Sequence, residues 1–228
     1  MVTLSAVGTE ALDDPDTDPA LVTRMLLDIA RSNRLLGGAG AVRFGLAQLL
    51  DPADRGRTLT LFDIGTGAGD LPLDAARWAA RRGVTLMPLG LERIRTAARL
   101  AQQHGVPVVV GCAGTLPLRA KSVDIVLASQ LAHHLDRESV IACFAAWSAV
   151  ARRGVVVADL HRRWFAERGF RAAGAVLGLH QLTIDDGVTS LRRGYTVAEL
   201  RELCVAAGIS GVNVSARLGA RIVASWRT

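Results

Sequence analysis

The segment Leu61-Phe-Asp-Ile-Gly-Thr-Gly-Ala-Gly-Asp70 constrains this chain more than any other. Thr58 to Ile64 is mostly apolar or β-branched, with Asp63 at its carboxyl end, and reads as a buried strand. Leu71 to Arg82 has helical composition, with Leu71, Ala75, Trp78 and Ala79 on one face. Between them, Gly65, Gly67 and Gly69 let the backbone turn sharply and approach a ligand with no Cβ in the way. In open α/β sheets such a turn stands at the carboxyl ends of the strands, where nucleotide-like ligands bind. The same ten residues also suit a plain tight connection, so the segments beyond them decide.

Those segments alternate. Val84 to Leu91, Val106 to Val110, Val123 to Ala128 and Gly154 to Asp159 read as short apolar strands. Helices are expected over Ile94 to His104 and over Arg137 to Val150, the latter capped by Asp136. Continuous apolar strands alternating with helices imply a parallel sheet buried on both faces. Thr196 and Glu199 form a capping box for a helix through Ala207, which Gly208 stops. Ile209 to Ala216 and Arg221 to Trp226 then close the chain as two strands, antiparallel because Leu218-Gly219-Ala220 is too short for a crossover.

At 228 residues the chain is expected to form one domain over residues 20–228, preceded by a loose acidic leader over 1–19. Two helices are expected before the first strand, within residues 20–51: Ala20 to Leu36, started by Asp18-Pro19, and Ala41 to Leu50, parted by Gly37, Gly38 and Gly40. Their apolar positions leave a homodimer contact open. Residues 161–195 interrupt the alternation, with Trp164, Phe165, Phe170, Leu177 and Leu179 among Arg and Gly and a turn expected at Asp185-Asp186-Gly187. An insertion that long and apolar is expected to be a helical cap.

Composition narrows the classes. No apolar run reaches the roughly 18 residues a membrane span needs, and the acidic start lacks the pattern of a signal peptide, so a cytoplasmic protein is expected. The net charge of +6 is nearly all arginine, spread in pairs such as Arg81-Arg82, Arg152-Arg153, Arg162-Arg163 and Arg192-Arg193 rather than gathered in one run. That distribution fits element ends and a solvated rim better than a nucleic-acid partner. Cys112, Cys143 and Cys204 are odd in number and lack CxxC spacing, which argues against a disulfide framework or a zinc site.

Three features gather at one sheet edge: the glycine turn, Glu92 about twenty residues further on, where an acid accepts ribose hydroxyls, and the loop Gly111-Cys-Ala-Gly-Thr-Leu-Pro-Leu118 after the third strand. Glu92 also suits a helix amino terminus. At this point the chain resembles the class I S-adenosylmethionine-dependent methyltransferases. The resemblance is carried by Asp63 to Asp70, Glu92, Leu116-Pro117 and Val123-Asp-Ile-Val-Leu-Ala-Ser-Gln-Leu-Ala-His-His-Leu135, and it spans residues 25 to 226. Within the class it looks closest to small-molecule enzymes such as bacterial quinone and polyketide methyltransferases, and Asn33 to Gly38, Arg153 to Asp159 and Leu191 to Leu200 look like a subgroup found among polyketide-associated methyltransferases.

The resemblance implies a Rossmann-like, seven-stranded, mostly parallel sheet with a C-terminal antiparallel hairpin and helices on both faces. It also implies S-adenosyl-L-methionine as cofactor. Asp63, Gly65, Thr66, Gly67 and Asp70 would hold its methionine part, Glu92 its ribose with Arg93 alongside, and Cys112, Ala113 and Leu116 its adenine; Ser129 and Gln130 would floor the pocket. Cys112 stands where the family usually has an Asp, and a thiol accepts hydrogen bonds weakly. The implied activity is methylation of a small aromatic, phenolic or polyketide-like acceptor, at oxygen rather than carbon. An RNA or protein substrate, or a non-catalytic module of the same fold, are the alternatives. His133 and His134 follow the fourth strand, where one of them could take the acceptor's proton and Asp159 could orient it. His161 and His180 fall in the cap, where they could reach substrate. The strand ends lack two carboxylates and an amide, so no metal is expected.

Overall fold

The computed structural model describes residues 10–228 apart from Pro15. Of the leader read over 1–19, residues 1–9 and 15 lie outside the described residues. Elements in chain order are α1 (Pro19–Leu35), α2 (Gly38–Ala47), β1 (Thr58–Ile64), α3 (Asp70–Ala80), β2 (Thr85–Glu92), α4 (Arg95–Gln103), β3 (Val108–Val110), β4 (Val123–Ser129), α5 (Arg137–Val150), β5 (Ala151–Leu160), α6 (Ala166–Leu177), α7 (Gln181–Arg193), α8 (Val197–Ala206), β6 (Asn213–Arg217) and β7 (Arg221–Arg227), besides short 3₁₀ turns. The seven strands form one sheet in the order β3-β2-β1-β4-β5-β7-β6. All pairs are parallel except β5 with β7 and β7 with β6. This is the expected Rossmann-like sheet with its closing hairpin.

Strand alternation sorts the core into two layers. Phe62, Ile64, Val126, Ala128, Val155, Val157 and Trp226 face one side, where α5 and α8 cover them with Phe144, Trp147 and Leu200. Leu59, Leu61, Ile125, Leu127, Val156 and Val223 face the other, under Val42 and Leu46 of α2 and Ala75 and Trp78 of α3. Each large apolar side chain so buried contributes about 1.5–3 kcal/mol. The apolar stripe of the N-terminal helices is largely spent in this way: Val22, Met25, Leu26, Val42 and Leu46 are all buried within the chain, with Leu27 and Leu35 exposed.

Helix starts follow the capping residues. Asp18 accepts from the Ala20 and Leu21 N–H groups with Pro19 in the first turn, Asp136 accepts from Ser139, and Thr196 and Glu199 close their box reciprocally. Two expected strands are shorter than read. Val106 donates its N–H to Ala101 O, which closes α4 and delays β3, and β6 starts at Asn213 rather than Ile209, whose N–H ends α8 at Cys204 O.

The turn expected at Asp185-Asp186-Gly187 does not form, because those residues lie inside α7. Asp185 accepts from Arg171 and Gln181, and Asp186 from the Ala11 N–H. Gly187 faces the Phe170 ring so closely that a Cβ there would stand 2.2 Å from Phe170 Cε1. The glycine therefore serves helix–helix contact between α6 and α7, not a change of chain direction. These two helices form the cap, and Asp28 of α1 ties it down by accepting from the His180 N–H at 2.7 Å.

Candidate active site

The glycine turn leaves β1 through three left-handed residues, Gly65 (φ 73), Gly67 (φ 54) and Gly69 (φ 77). Its backbone is braced by β2. The Gly65 and Thr66 N–H groups both donate to Leu91 O, and the Gly67 N–H donates to Glu92 Oε2 at 2.9 Å. Glu92 Oε1 accepts from the Ile94 N–H at 2.8 Å, so this carboxylate positions the turn besides facing the cavity. Each oxygen keeps a further lone pair for a ligand hydroxyl.

Asp63 sits beneath the turn. Its Oδ2 accepts from the Thr66 hydroxyl at 2.8 Å, while Oδ1 is buried with no hydrogen-bond partner among the described residues. Burial pushes the carboxyl up to about 8; the Thr66 bond pulls it back, and Asp70 and Glu92 add repulsion. Asp70 is also raised by burial, against the bond it accepts from Asn33 Nδ2 at 3.1 Å. Asn33 Oδ1 in turn accepts from Gln130 Nε2 at 2.7 Å, so one buried amide on α1 joins the start of α3 to the end of β4. The resemblance includes Asn33 but implies no individual role for it. Its signal is an amide on the inward face of an amphipathic helix.

These groups border a cavity of about 570 Å³, within the range of roughly 300–1,000 Å³ common for small-molecule sites. It brings together Asp63, Gly65, Thr66, Gly67, Asp70, Glu92, Arg93, Cys112, Ala113, Ser129, Gln130, His133 and His134. Leu116 is not on its wall; it packs against the core beside α5 instead. Cys112 is exposed, whereas Cys143 and Cys204 are buried, and all three are free thiols. The Ala113 carbonyl is held by the Trp147 indole N–H at 3.2 Å, which fixes the loop after β3.

His133 and His134 lie in a 3₁₀ turn after β4, their ring centroids 4.2 Å apart. His133 is buried, and its Nδ1 lies 2.6 Å from Asp159 Oδ1. Its Nε2 has no hydrogen-bond partner among the described residues. Asp159 does not reach the cavity; it stands behind His133. Burial pushes its carboxyl up, yet the charge and hydrogen bond of His133 and the Leu160 N–H outweigh this and hold it below the usual range. His134 is half-buried, with Nε2 3.8 Å from Glu10 Oε2.

The cap residues divide. Phe165 and Phe170 line the cavity, but Trp164 is 87% exposed, and Leu177 and Leu179 pack away from the cavity. Neither cap histidine reaches it. His161 is buried, accepts from Arg163 Nε, and is held low by burial and that charge; His180 is exposed and caps α7.

Glu10, His133 and His134 place ligand-type atoms within 4.8 Å of one another. Glu10 is already engaged: Oε1 accepts from the Ser190 hydroxyl at 2.9 Å and Arg193 Nη1 at 3.1 Å. Its carboxyl is raised by burial, against the pull of His134, Ser190 and Arg193.

Residues 61–154 match the profile of a family described as "Methyltransferase domain". No curated protein matches the sequence. Among solved structures, a SAM-dependent methyltransferase from Thermotoga maritima, described as a possible histamine N-methyltransferase, is 16% identical, with 90% of this chain and 98% of that one covered and a TM-score of 0.58. Magnesium protoporphyrin IX methyltransferase from Synechocystis PCC 6803, bound to SAH, is 17% identical over 84% of this chain and 83% of its own, with a TM-score of 0.54. Human N-acetylserotonin methyltransferase with SAM is 13% identical over 92% of this chain and 56% of its own, with a TM-score of 0.62. At such identities the structures share the fold. Residues 61–154 thus match a methyltransferase domain, and the chain shares the fold of these solved methyltransferases, two of which hold SAM or SAH. The site suits that cofactor: the orphaned Asp63 Oδ1 offers an acceptor for an ammonium group, and Glu92 for ribose hydroxyls.

Proposed function

We propose that this protein methylates an oxygen of a small aromatic, phenolic or polyketide-like acceptor, without a metal ion, and that His133 removes the acceptor's proton. The observation that carries this reading is the buried Asp159–His133 pair, whose imidazole borders the cavity with Nε2 unclaimed. S-adenosylmethionine supplies an electrophilic methyl group on a sulfonium. Asp63, Asp70 and the turn would hold its amino-acid end, Glu92 with Arg93 its ribose, and Ala113 with Cys112 its adenine. Leu116 contributes at most through the loop it anchors.

The chain's own work is then alignment, exclusion of water and proton removal. Asp159 accepts from His133 Nδ1–H, which leaves the Nε2 lone pair to take a hydroxyl proton. The acceptor oxygen gains its nucleophilic electron pair as the O–H bond breaks. Phe165, Phe170, Leu160 and Leu191 give the acceptor half an apolar wall, which favours an aromatic or polyketide-like body over a charged polymer. Arg153 is paired with Asp54 and Arg192 with Glu167, which supports a small molecule over RNA. Engagement of Glu10 by Arg193 and Ser190 supports metal independence. A cytoplasmic, biosynthetic setting completes the reading.

The test is cofactor turnover across a panel of phenols and quinols, together with calorimetry on S-adenosylmethionine and S-adenosylhomocysteine. Saturable turnover of a phenol is the expected result. Folded protein that binds neither cofactor form would favour the non-catalytic alternative.

A further inference from the structure

Arg221 opens β7 opposite Leu160 of β5 and borders the cavity, yet it is only 5% exposed. Neither its Nε nor its Nη1 makes a hydrogen bond among the described residues. The carboxylate that attracts it, Asp159, spends Oδ1 on His133 Nδ1 and the Leu160 N–H. Arg193, the other deeply buried guanidinium nearby, contrasts sharply: Glu10 lies 3.1 Å from it. Arg153 likewise has Asp54 at 2.7 Å. Burial pushes the Arg221 guanidinium down to about 10, against the attraction of Asp159, so it remains a cation at neutral pH. A buried cation with unused donors is costly to keep unless something completes it. Here it borders a cavity whose walls near the cap are largely apolar.

We propose that Arg221 is the anion-recognition residue of the acceptor pocket and that the methyl acceptor carries a carboxylate, which pairs with this guanidinium. The inference rests on the acceptor reading above and specifies its substrate class: a hydroxylated aromatic acid rather than a neutral phenol. A guanidinium matches a carboxylate in charge and in planar hydrogen-bond geometry. The apolar wall of Phe165 and Phe170 would take the ring. Because Asp159 attracts Arg221 and bonds His133, the carboxylate and the reacting hydroxyl would enter the same end of the pocket.

The experiment compares hydroxybenzoates with the matching hydroxybenzamides, titrated into wild type and Arg221→Gln loaded with S-adenosylhomocysteine. Wild type is expected to bind at least one acid about tenfold or more tighter than its amide, the worth of a charge-assisted hydrogen bond. Arg221→Gln should abolish that preference and leave amide affinity within about twofold. Equal binding of acids and amides by wild type overturns the proposal, and needs no variant. So does an acid preference that survives in Arg221→Gln, or a loss of both ligands together, which would assign Arg221 to the reacting oxygen or to the fold. Thermal melting supplies the structural control: without ligand, Arg221→Gln should melt no lower than wild type, since an unpaired buried charge is removed, and a clear fall overturns the proposal. Failure to bind S-adenosylhomocysteine would instead count against the methyl-transfer reading. The acid–amide comparison would still report on the pocket.

Discussion

His133 and Asp159 form a closed pair: Nδ1 of the imidazole lies 2.6 Å from Oδ1 of the carboxylate, and neither residue is more than 2% exposed. The Asp159 backbone belongs to β5 and His133 follows β4, so adjacent parallel strands deliver the two groups to one point. A carboxylate so placed selects the tautomer with its proton on Nδ1, which leaves Nε2 as the basic atom.

Removing the base should therefore slow chemistry without loosening the cofactor. His133→Asn is expected to lower kcat by about 10²–10⁴, with the calorimetric Kd for S-adenosylhomocysteine little changed. Asp159→Asn should also lower kcat, through the wrong imidazole tautomer, while His134→Asn does less. A change of only a few-fold in His133→Asn would sink proton removal by this residue and leave alignment to carry the rate.

Asp63 makes stability and binding depend on pH in opposite senses. Its folded carboxyl titrates near 8, against about 3.9 in an unfolded chain. Between these values the folded state binds the extra proton, so its contribution to stability is complete below about 4 and is lost as pH rises towards 8. The Tm of the unliganded protein should fall across that window more steeply than that of Asp63→Asn. Binding the cofactor's ammonium needs the ionised carboxylate, so affinity should rise from pH 6 to 8 and calorimetry in buffers of different ionisation enthalpy should detect proton release. A pH-independent affinity would remove Asp63 from the ammonium contact.

Gly187→Ala tests the contact between α6 and α7. The new methyl would collide with the Phe170 ring, and overpacking of this kind costs about 1–3 kcal/mol. Denaturant unfolding should show that loss, and Phe170→Leu in the same chain should recover much of it, since the two positions touch. Additive losses would mean that the glycine is there for another reason.

Dialysis against a chelator should leave turnover unchanged. Glu10, His133 and His134 have ligand-type composition, but Arg193 and Ser190 already hold the carboxylate. Activity lost to the chelator and restored by one divalent ion would replace the metal-free reading with a metal at this cluster.

The sheet was readable from the chain because each strand is a short apolar run and each crossover helix carries its own cap. Thr58–Ile64 and Arg137–Val150 match their expected bounds for that reason. Edge strand β3 was less so, since Val106 ends a helix rather than starting a strand. Asp185-Asp186-Gly187 has the local chemistry of a turn, yet the ring of Phe170 and the partners of both aspartates make it the middle of a helix. Tertiary contact overrode propensity there.

The glycine turn, Glu92 and the histidine pair could be located from sequence alone, because each lies within a few residues of a strand end and strand ends share one edge of a parallel sheet. Which histidine meets Asp159, that Asn33 joins Asp70 to Gln130, and that Arg221 faces the cavity with donors to spare were decided only by the tertiary structure. These relationships join residues from 26 to 97 positions apart or depend on what surrounds a side chain in space. Local periodicity determines the face of an element; only packing determines what that face meets.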